Sequence, residues 1–169
     1  NEVSLVSGSW SWEPKPDAPV PVMPSVNVTA RGLAPMAKQQ NWGRLGCEHH
    51  QRTLVSHYTP AGGDKVLILG TGEFMWQPFM LGEHLEAAGA EVYLSSTTRS
   101  PISIGKAIKC GIAFSDNYGL GIANFMYNIF PDEYQHIILC TETPASFIDP
   151  KLCAYLSSGK AALEIAVHD

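Results

Sequence analysis

Short apolar runs, separated by glycines and polar turns, predict a β-sheet with helices between its strands. The run from Val66 to Leu69 is continuously apolar and lies between glycines. Such a run is typical of a strand that is buried on both faces of a parallel sheet. Later runs are either equally apolar or alternate between apolar and polar side chains. The predicted strands are residues 65–70, 91–96, 108–114, 136–140 and 161–167.

Helical spacing of apolar side chains predicts the connections between these strands. Residues 74–88 show this spacing and are followed by Gly89, a common residue just after a helix. Residues 122–129 have apolar side chains at positions i, i+3, i+4 and i+7, which predicts an amphipathic helix. A third helix is predicted over residues 151–158, because an Asp-Pro pair precedes it.

The alternation of strands and helices predicts an α/β fold, a doubly wound, Rossmann-like and mostly parallel sheet of about five strands. Residues 1–30 carry a proline at every second or third position in their central part and are predicted to be an extended linker. The domain itself is predicted to cover residues 31–169. Between these parts, residues 26–29 are a candidate strand and residues 51–58 a candidate helix.

Composition narrows the class of protein. The 169 residues are 45% hydrophobic and 16% charged, which suits one domain with a sizeable core. A net charge of −5 and the lack of a basic run argue against a nucleic-acid partner. No apolar run has the length of a membrane span and no signal peptide is visible, so a cytoplasmic protein without a membrane partner is predicted. The absence of an initiator methionine suggests a piece of a longer chain.

Cysteine and histidine spacing argues against a metal site. The four cysteines are scattered without a CxxC pair, and we expect reduced thiols. Cys47, His49, His50 and His57 do not have the spacing of a compact zinc site. No metal site is therefore predicted from these residues.

Polar residues follow nearly every predicted strand. The carboxyl ends of parallel strands meet at one edge of the sheet, where open α/β sheets bind ligands. A pocket with many hydroxyls and a single arginine suits a phosphorylated sugar or a nucleotide-like compound. The candidate ligand-binding residues, from the strand ends and the predicted second helix, are Gly70, Thr71, Gly72, Thr97, Thr98, Arg99, Ser100, Tyr118, Asn124, Tyr127, Asn128, Thr141 and Glu142.

Each candidate has a structural interpretation beside the functional one. Arg99 would hold a phosphate bidentately, or would form a surface ion pair. Gly70 and Gly72 would let the backbone approach an anion at the start of a helix, or would form a tight turn. Tyr118 and the polar residues of the predicted second helix would stack on and hydrogen-bond a base. The last two of them, Tyr127 and Asn128, could instead cap the helix end.

Three carboxylates are candidates for chemistry. Glu73 and Asp116 are the predicted catalytic acid–base residues, and with Glu142 they would also suit Mg²⁺, although the cofactor stays undetermined. The alternative is that these charges complement helix macrodipoles. The turn after the first strand resembles a dinucleotide-binding loop only in part, since Glu73 stands where another glycine is expected and no acidic residue ends the second strand.

A family resemblance joins several of these residues. The tetrapeptide from Thr98 to Pro101 resembles the namesake motif of the TRSP domain. Three further blocks are similar to the family, namely 67–74, Tyr118 and 124–128, and the resemblance covers roughly residues 31–167. It implies a position after a phosphoribosyltransferase domain in bacterial proteins, whose genes accompany tellurium-resistance-type stress operons. The paired acidic residues that mark that transferase are absent here, so its activity is not assigned to this chain.

Three hypotheses follow for the function. The domain binds and processes a phosphoribosyl or nucleotide-like metabolite in a stress-response pathway, as a partner of the N-terminal transferase domain. Alternatively, it is a non-catalytic module that senses a nucleotide and regulates the transferase. In the third hypothesis it only dimerises the enzyme. Whether the domain is an enzyme and whether it forms a homodimer are left open by the sequence.

Overall fold

The computed structural model describes residues 6–17, 20, 22–36 and 54–168. Within this part of the chain, two α-helices and six β-strands form an α/β fold. Two short 3₁₀ turns, Pro131–Glu133 and Ala145–Phe147, complete the regular structure. The elements are β1 (Lys65–Gly70), α1 (Trp76–Ala87), β2 (Glu91–Ser96), β3 (Gly111–Ser115), β4 (Ala123–Tyr127), β5 (His136–Thr141), α2 (Pro150–Leu156) and β6 (Ala162–Val167).

Four parallel strands form the main sheet, in the spatial order β2-β1-β5-β6. The register places Leu67 of β1 between Tyr93 of β2 and Ile137 of β5. From β1 the chain moves through α1 to one neighbour, whereas from β5 it moves through α2 in the opposite direction. The order of strands therefore reverses between β1 and β5, which is where sheets of this kind open a crevice for ligands.

The main sheet is covered by apolar side chains on both faces. Val66 and Ile68 pack with residues of α1 that include Leu81. Leu67 and Leu69 point the other way and pack with α2 and with the antiparallel hairpin. Because both faces are covered, five of the six residues of β1 are buried. This arrangement explains why the run shows no alternation of polar and apolar residues.

The predicted helix over residues 122–129 is wrong, because residues 123–127 form strand β4. This strand pairs antiparallel with β3, so that Met126 lies opposite Ile112. Asn124 and Met126 face the inside of the molecule, while the rings of Phe125 and Tyr127 stack on the other side at 6.1 Å. A short run of this composition fits a helical and a strand period equally well, and pairing with β3 decides between them.

The other predicted elements have mixed outcomes. The α/β class and the helices α1 and α2 are confirmed, but the main sheet has four parallel strands instead of about five. The predicted strand over 108–114 corresponds to β3, which lies in the separate hairpin. Residues 26–29 form no strand, and residues 54–58 are not helical. The first part of that predicted helix, residues 51–53, lies outside the described residues.

Residues 22–36, which contain no helix or strand, lie against the domain and are here called the strap. Its backbone bonds to the loop before β4: the Arg31 N–H donates to the carbonyl oxygen of Gly119 at 3.0 Å, and the Ala34 N–H donates to that of Tyr118 at 2.9 Å. The Arg31 guanidinium donates to the carbonyl oxygen of Phe147 at 2.6 Å. The strap therefore contains both the end of the predicted linker and the start of the predicted domain, and the boundary at residue 31 stays a prediction.

The carboxylate of Glu164, in β6, joins the main sheet to residues 54–58. The Ser56 hydroxyl donates to Glu164 Oε2 at 2.7 Å, and the His57 N–H donates to Oε1 at 2.8 Å. His136 Nε2 lies 3.5 Å from the same carboxylate. Burial raises the pKa of Glu164, but these hydrogen bonds and the nearby imidazole outweigh it, so the pKa lies below the ordinary value.

No helix in the described residues has the length and apolarity that a membrane crossing needs.

The Glu164 contacts make stability depend on acid pH. Because the folded-state pKa is lowered, their contribution is present above the ordinary glutamate pKa of 4.5 and is lost as the pH falls through the folded-state pKa. We expect Glu164→Gln to have a lower Tm than the wild type at pH 7. The difference in Tm should shrink as the pH falls below about 4.5. Thermal unfolding between pH 3 and pH 7 measures this, with exposed Glu86→Gln as the matched control. A Tm difference that does not change with pH would contradict the assignment.

The strap depends on a glycine at position 119. Gly119 has φ +78°, and a Cβ there would run into the carbonyl oxygen of Gly32. We therefore expect Gly119→Ala to lower Tm and to release the strap, measured as faster proteolysis within residues 22–36. Gly62→Ala, where a Cβ meets nothing within 4 Å, is the control and should leave both readouts unchanged. Equal proteolysis of the two variants would show that the strap does not depend on this contact.

Candidate functional site

A cleft of about 550 Å³ opens at the carboxyl ends of β1 and β2. Of the described residues that line it, all but two belong to the predicted site, and these eight come from four separate segments of the chain. The exceptions are Met36, at the end of the strap, and Ser96, the last residue of β2. The lining residues are Met36, Gly72, Glu73, Ser96, Thr97, Thr98, Arg99, Ser100, Tyr118 and Asn124.

The turn that carries Arg99 is held by the hairpin on one side. The Thr98 N–H donates to the carbonyl oxygen of Phe125 at 2.9 Å, and the Phe125 N–H donates back to that of Thr98 at 2.7 Å. The Ser100 N–H then donates to Thr98 Oγ1 at 3.1 Å, which closes a small turn around Arg99. Arg99 is exposed, and within the described part of the chain its guanidinium has no hydrogen bond or ion pair. It is thus positioned by its backbone and is available to a ligand.

Tyr127 holds the other side of the same turn. Its hydroxyl donates to the carbonyl oxygen of Ser100 at 3.0 Å and accepts from the Ile102 N–H at 2.7 Å. This side chain does not line the cleft. The structure therefore gives Tyr127 a positioning role at this turn. Capping of a helix is ruled out because residues 123–127 form a strand, whereas stacking on a base stays a prediction.

Asn124 lies in the wall of the cleft with an unsatisfied acceptor. Its side chain is only 2% exposed, and Oδ1 has no hydrogen-bond partner among the described residues. A buried polar atom left in this state costs about 1–3 kcal/mol. Such groups in a folded protein are uncommon and occur at functional sites. Asn124 is therefore the lining residue whose unused acceptor most directly suggests contact with a ligand.

The glycine turn after β1 has little left to offer an anion. The Thr71 N–H donates to the carbonyl oxygen of Cys140 at 3.1 Å, and the Gly72 N–H donates to Thr97 Oγ1 at 2.8 Å. A Cβ on Gly70 would collide with the backbone of Phe74, which explains the first glycine. The turn is thus shaped by packing, and Gly72 borders the cleft without a free N–H.

Asp116 shapes a loop and does not line the cleft. Its carboxylate, 1% exposed, accepts from the N–H groups of Tyr118, Leu120 and Ile122 at 2.9–3.0 Å. Burial raises the pKa of Asp116, but these hydrogen bonds outweigh it and the pKa lies below the ordinary value. A carboxylate that is already bonded this way is poorly placed to accept a proton from a substrate.

Behind the cleft lies a buried layer of hydroxyl and amide groups at the ends of β1 and β5. The Asn117 amide nitrogen donates to the hydroxyls of Thr143, Thr141 and Thr71 at 3.0, 3.3 and 3.5 Å. All four residues are buried and none lines the cleft. Thr71 and Thr141 therefore support the site from behind and do not themselves face it.

Tyr118 connects this layer to the cleft. Its hydroxyl donates to Glu142 Oε1 at 2.9 Å, and Glu142 is itself buried. The ring lies beside Gly72, with Cε2 3.9 Å from the position of a Cβ on that glycine. Glu142 thus orients an aromatic ring that borders the cleft, and it is not one of the lining residues.

Asn128 ends the hairpin and lies outside the cleft. Its backbone is in the left-handed region with φ 55°. Its Oδ1 accepts from the Lys109 N–H at 2.7 Å, and its Nδ2 donates to the carbonyl oxygen of Ala107 at 2.9 Å. These bonds account for the asparagine structurally, without a ligand and without the predicted helix end.

The described residues offer little to a metal ion. They contain no group of three His, Cys, Asp or Glu side chains that could hold one. Among the described residues that line the cleft, Glu73 is the one carboxylate that could serve as a ligand of Mg²⁺. Cys47, His49 and His50 lie outside the described residues, and the His57 N–H bonds to Glu164.

Two cleft residues escaped the sequence analysis for different reasons. Ser96 is the last residue of β2, whereas the candidates were taken from the residues that follow each strand. Starting one residue earlier would have included it. Met36 comes from the strap, and no sequence pattern connects it to residues that lie more than thirty positions away. The support from Asn117 was also missed, because only the folded sheet brings its three threonine partners together.

Comparisons with known proteins identify a family. A family model described as "TRSP domain C terminus to PRTase_2" matches residues 37–153, which is more than half of the chain. The match contains the Thr98–Pro101 tetrapeptide and every strand from β1 to β5. Neither the curated proteins nor the solved structures gave a match to this chain.

The role of Tyr127 can be tested by removing its hydroxyl. Tyr127→Phe deletes both hydrogen bonds to the Arg99 turn but keeps the stacked ring, at a cost of about 1 kcal/mol per bond. We expect faster tryptic cleavage after Arg99 and a modest fall in Tm. Tyr155→Phe removes a hydrogen bond to the Ile129 carbonyl oxygen elsewhere and serves as the control. Similar cleavage after Arg99 in both variants would argue against the positioning role.

Proposed function

Because this chain belongs to the TRSP domain family, which is described as C-terminal to a PRTase_2 domain, we propose that it binds a phosphorylated sugar or nucleotide-like metabolite. The ligand would be one that is related to phosphoribosyl transfer. The observation that carries this proposal is the Arg99 guanidinium, held by its backbone at the cleft and without a partner in the described residues. The stress-response setting is part of the proposal and rests on the family resemblance alone.

Arg99 and the hydroxyls beside it supply the donors that a phosphate requires. The guanidinium offers a planar fork of N–H groups that matches phosphate oxygens. Thr98 Oγ1 accepts from the Ser100 N–H, which leaves the hydroxyl proton of Thr98 to donate. Ser96 and Ser100 line the same cleft. The N–H of Gly72 is excluded from this set because Thr97 already accepts from it.

The remaining walls suit the rest of a nucleotide-like molecule. A volume of about 550 Å³ is within the range of small-molecule pockets. The ring of Tyr118 is fixed by Glu142 and offers an aromatic surface to a sugar or a base. The phosphate would thus bind at the Arg99 turn, and the organic part would extend towards Tyr118.

If the domain processes its ligand, Glu73 is the favoured acid–base residue. It lines the cleft, whereas the Asp116 carboxylate is committed to backbone N–H groups of its own loop. Glu73→Gln would then abolish turnover and preserve binding. Asp116→Asn would instead lower stability, because an amide cannot accept all three of these bonds.

A second candidate function, regulation of the attached transferase, is favoured by the strap. The strap, which contains the end of the predicted linker and the start of the predicted domain, bonds to the loop that carries Tyr118 and reaches the cleft at Met36. Ligand binding in the cleft would therefore change contacts of the segment that joins the two domains. In this case the domain senses the metabolite without converting it.

Arg99→Ala tests the phosphate assignment. We expect affinity for ribose 5-phosphate and for adenosine monophosphate to fall about tenfold to a hundredfold, the value of a charge-assisted hydrogen bond. Tm should stay unchanged, since the exposed guanidinium bonds to nothing in the described residues. Isothermal titration calorimetry measures binding, and Lys109→Ala, an exposed cation outside the cleft, is the control. Unfolding of Arg99→Ala would show a structural arginine and would remove the basis of the proposal.

The same titrations separate the three kinds of function. Conversion of a bound compound, detected by mass spectrometry, supports a processing enzyme. Binding without conversion supports the sensing module. If no phosphorylated sugar or nucleotide binds, the domain serves only for interaction, and sedimentation of the chain then tests whether it forms a dimer.

A further inference from the structure

The Asn124 side chain is a buried polar group whose acceptor the fold leaves unused. It lies on the inner side of β4, where Met126, two residues on, belongs to the core. At Asn124 the same side of the strand reaches the cleft instead. The residue is 2% exposed, and Oδ1 accepts no hydrogen bond in the described part of the chain. An acceptor in this position calls for a donor from the ligand.

Asn124 and Arg99 are neighbours across the backbone bridge between Thr98 and Phe125. Thr98 pairs antiparallel with Phe125, so the next residue on one strand and the preceding residue on the other lie on the same side of that pair. Side chains at such opposed positions start about 5 Å apart. Arg99 and Asn124 therefore start from neighbouring positions of the cleft wall, which both residues line.

These two neighbours require different groups of a ligand. The guanidinium has only donors and attracts the anionic oxygens of a phosphate. An amide oxygen repels those oxygens and is satisfied only by an O–H or N–H. In a phosphorylated sugar, a ring hydroxyl is the donor that lies close to the phosphate, while the edge of a base is farther away. The pair therefore matches a phosphate with a sugar hydroxyl beside it.

We propose that Asn124 is the residue that selects the sugar, by accepting a hydrogen bond from a ribose hydroxyl while Arg99 holds the phosphate. This inference rests on the proposed function and narrows it to phosphate esters that carry a hydroxyl near the phosphate. The ring of Tyr118, whose hydroxyl bonds to Glu142, then faces whatever is attached to the sugar.

The experiment compares two ligands in the full 169-residue chain. Ribose 5-phosphate has the phosphate monoester and the hydroxyls, whereas methyl phosphate has the monoester alone. Titration calorimetry is carried out with the wild type, Asn124→Ala and Asn124→Leu, of which the last keeps the volume without the acceptor. Asn27→Ala, an exposed asparagine outside the cleft, is the matched control.

We expect the wild type to prefer ribose 5-phosphate, and both Asn124 variants to lose about tenfold of that affinity while binding methyl phosphate as before. Their Tm should not fall, because Oδ1 bonds to nothing in the described residues. An unchanged affinity for ribose 5-phosphate in a folded variant, or an equal loss for both ligands, overturns the inference but not the proposed function. A wild type that binds neither ligand overturns both.

Discussion

The site depends on one pair of backbone hydrogen bonds, between Thr98 and Phe125. These bonds join the segment after β2 to the antiparallel hairpin of β3 and β4. The hairpin is a separate sheet and pairs with none of the four parallel strands. Side-chain packing of Phe114 and Met126 holds the hairpin against the sheet. The backbone pair sets Thr98 opposite Phe125, and it brings Arg99 beside Asn124.

The polar groups around the cleft divide according to whether the fold already satisfies them. Asp116, Asn117 and Glu142 have protein partners, and their hydrogen bonds hold the loop and the ring of Tyr118 in place. Arg99 and the Asn124 acceptor have none within the described residues. Satisfied groups of this kind rigidify a site, whereas unsatisfied ones are kept for a ligand. This division separates supporting residues from candidate binding residues more sharply than residue type does.

The errors of the sequence analysis have a common physical cause. Strands β1 and β5 were predictable because burial on both faces leaves a local signature, a continuous apolar run. Residues 122–129 carried no such signature, since their apolar positions fit two periods, and only pairing with β3 selected the strand. The contacts of the strap could not be predicted either, because its partners Gly119 and Phe147 are distant in sequence.

By itself, the sequence determined the α/β class, both helices and the concentration of polar residues at the strand ends, because these depend on local spacing and on the polarity of short segments. Eight of the predicted candidates accordingly meet in one cleft. Only the tertiary structure decided which of the polar candidates face that cleft and which form hydrogen bonds with other protein groups behind it. That choice depends on hydrogen-bond partners supplied by other segments, and no local pattern records them.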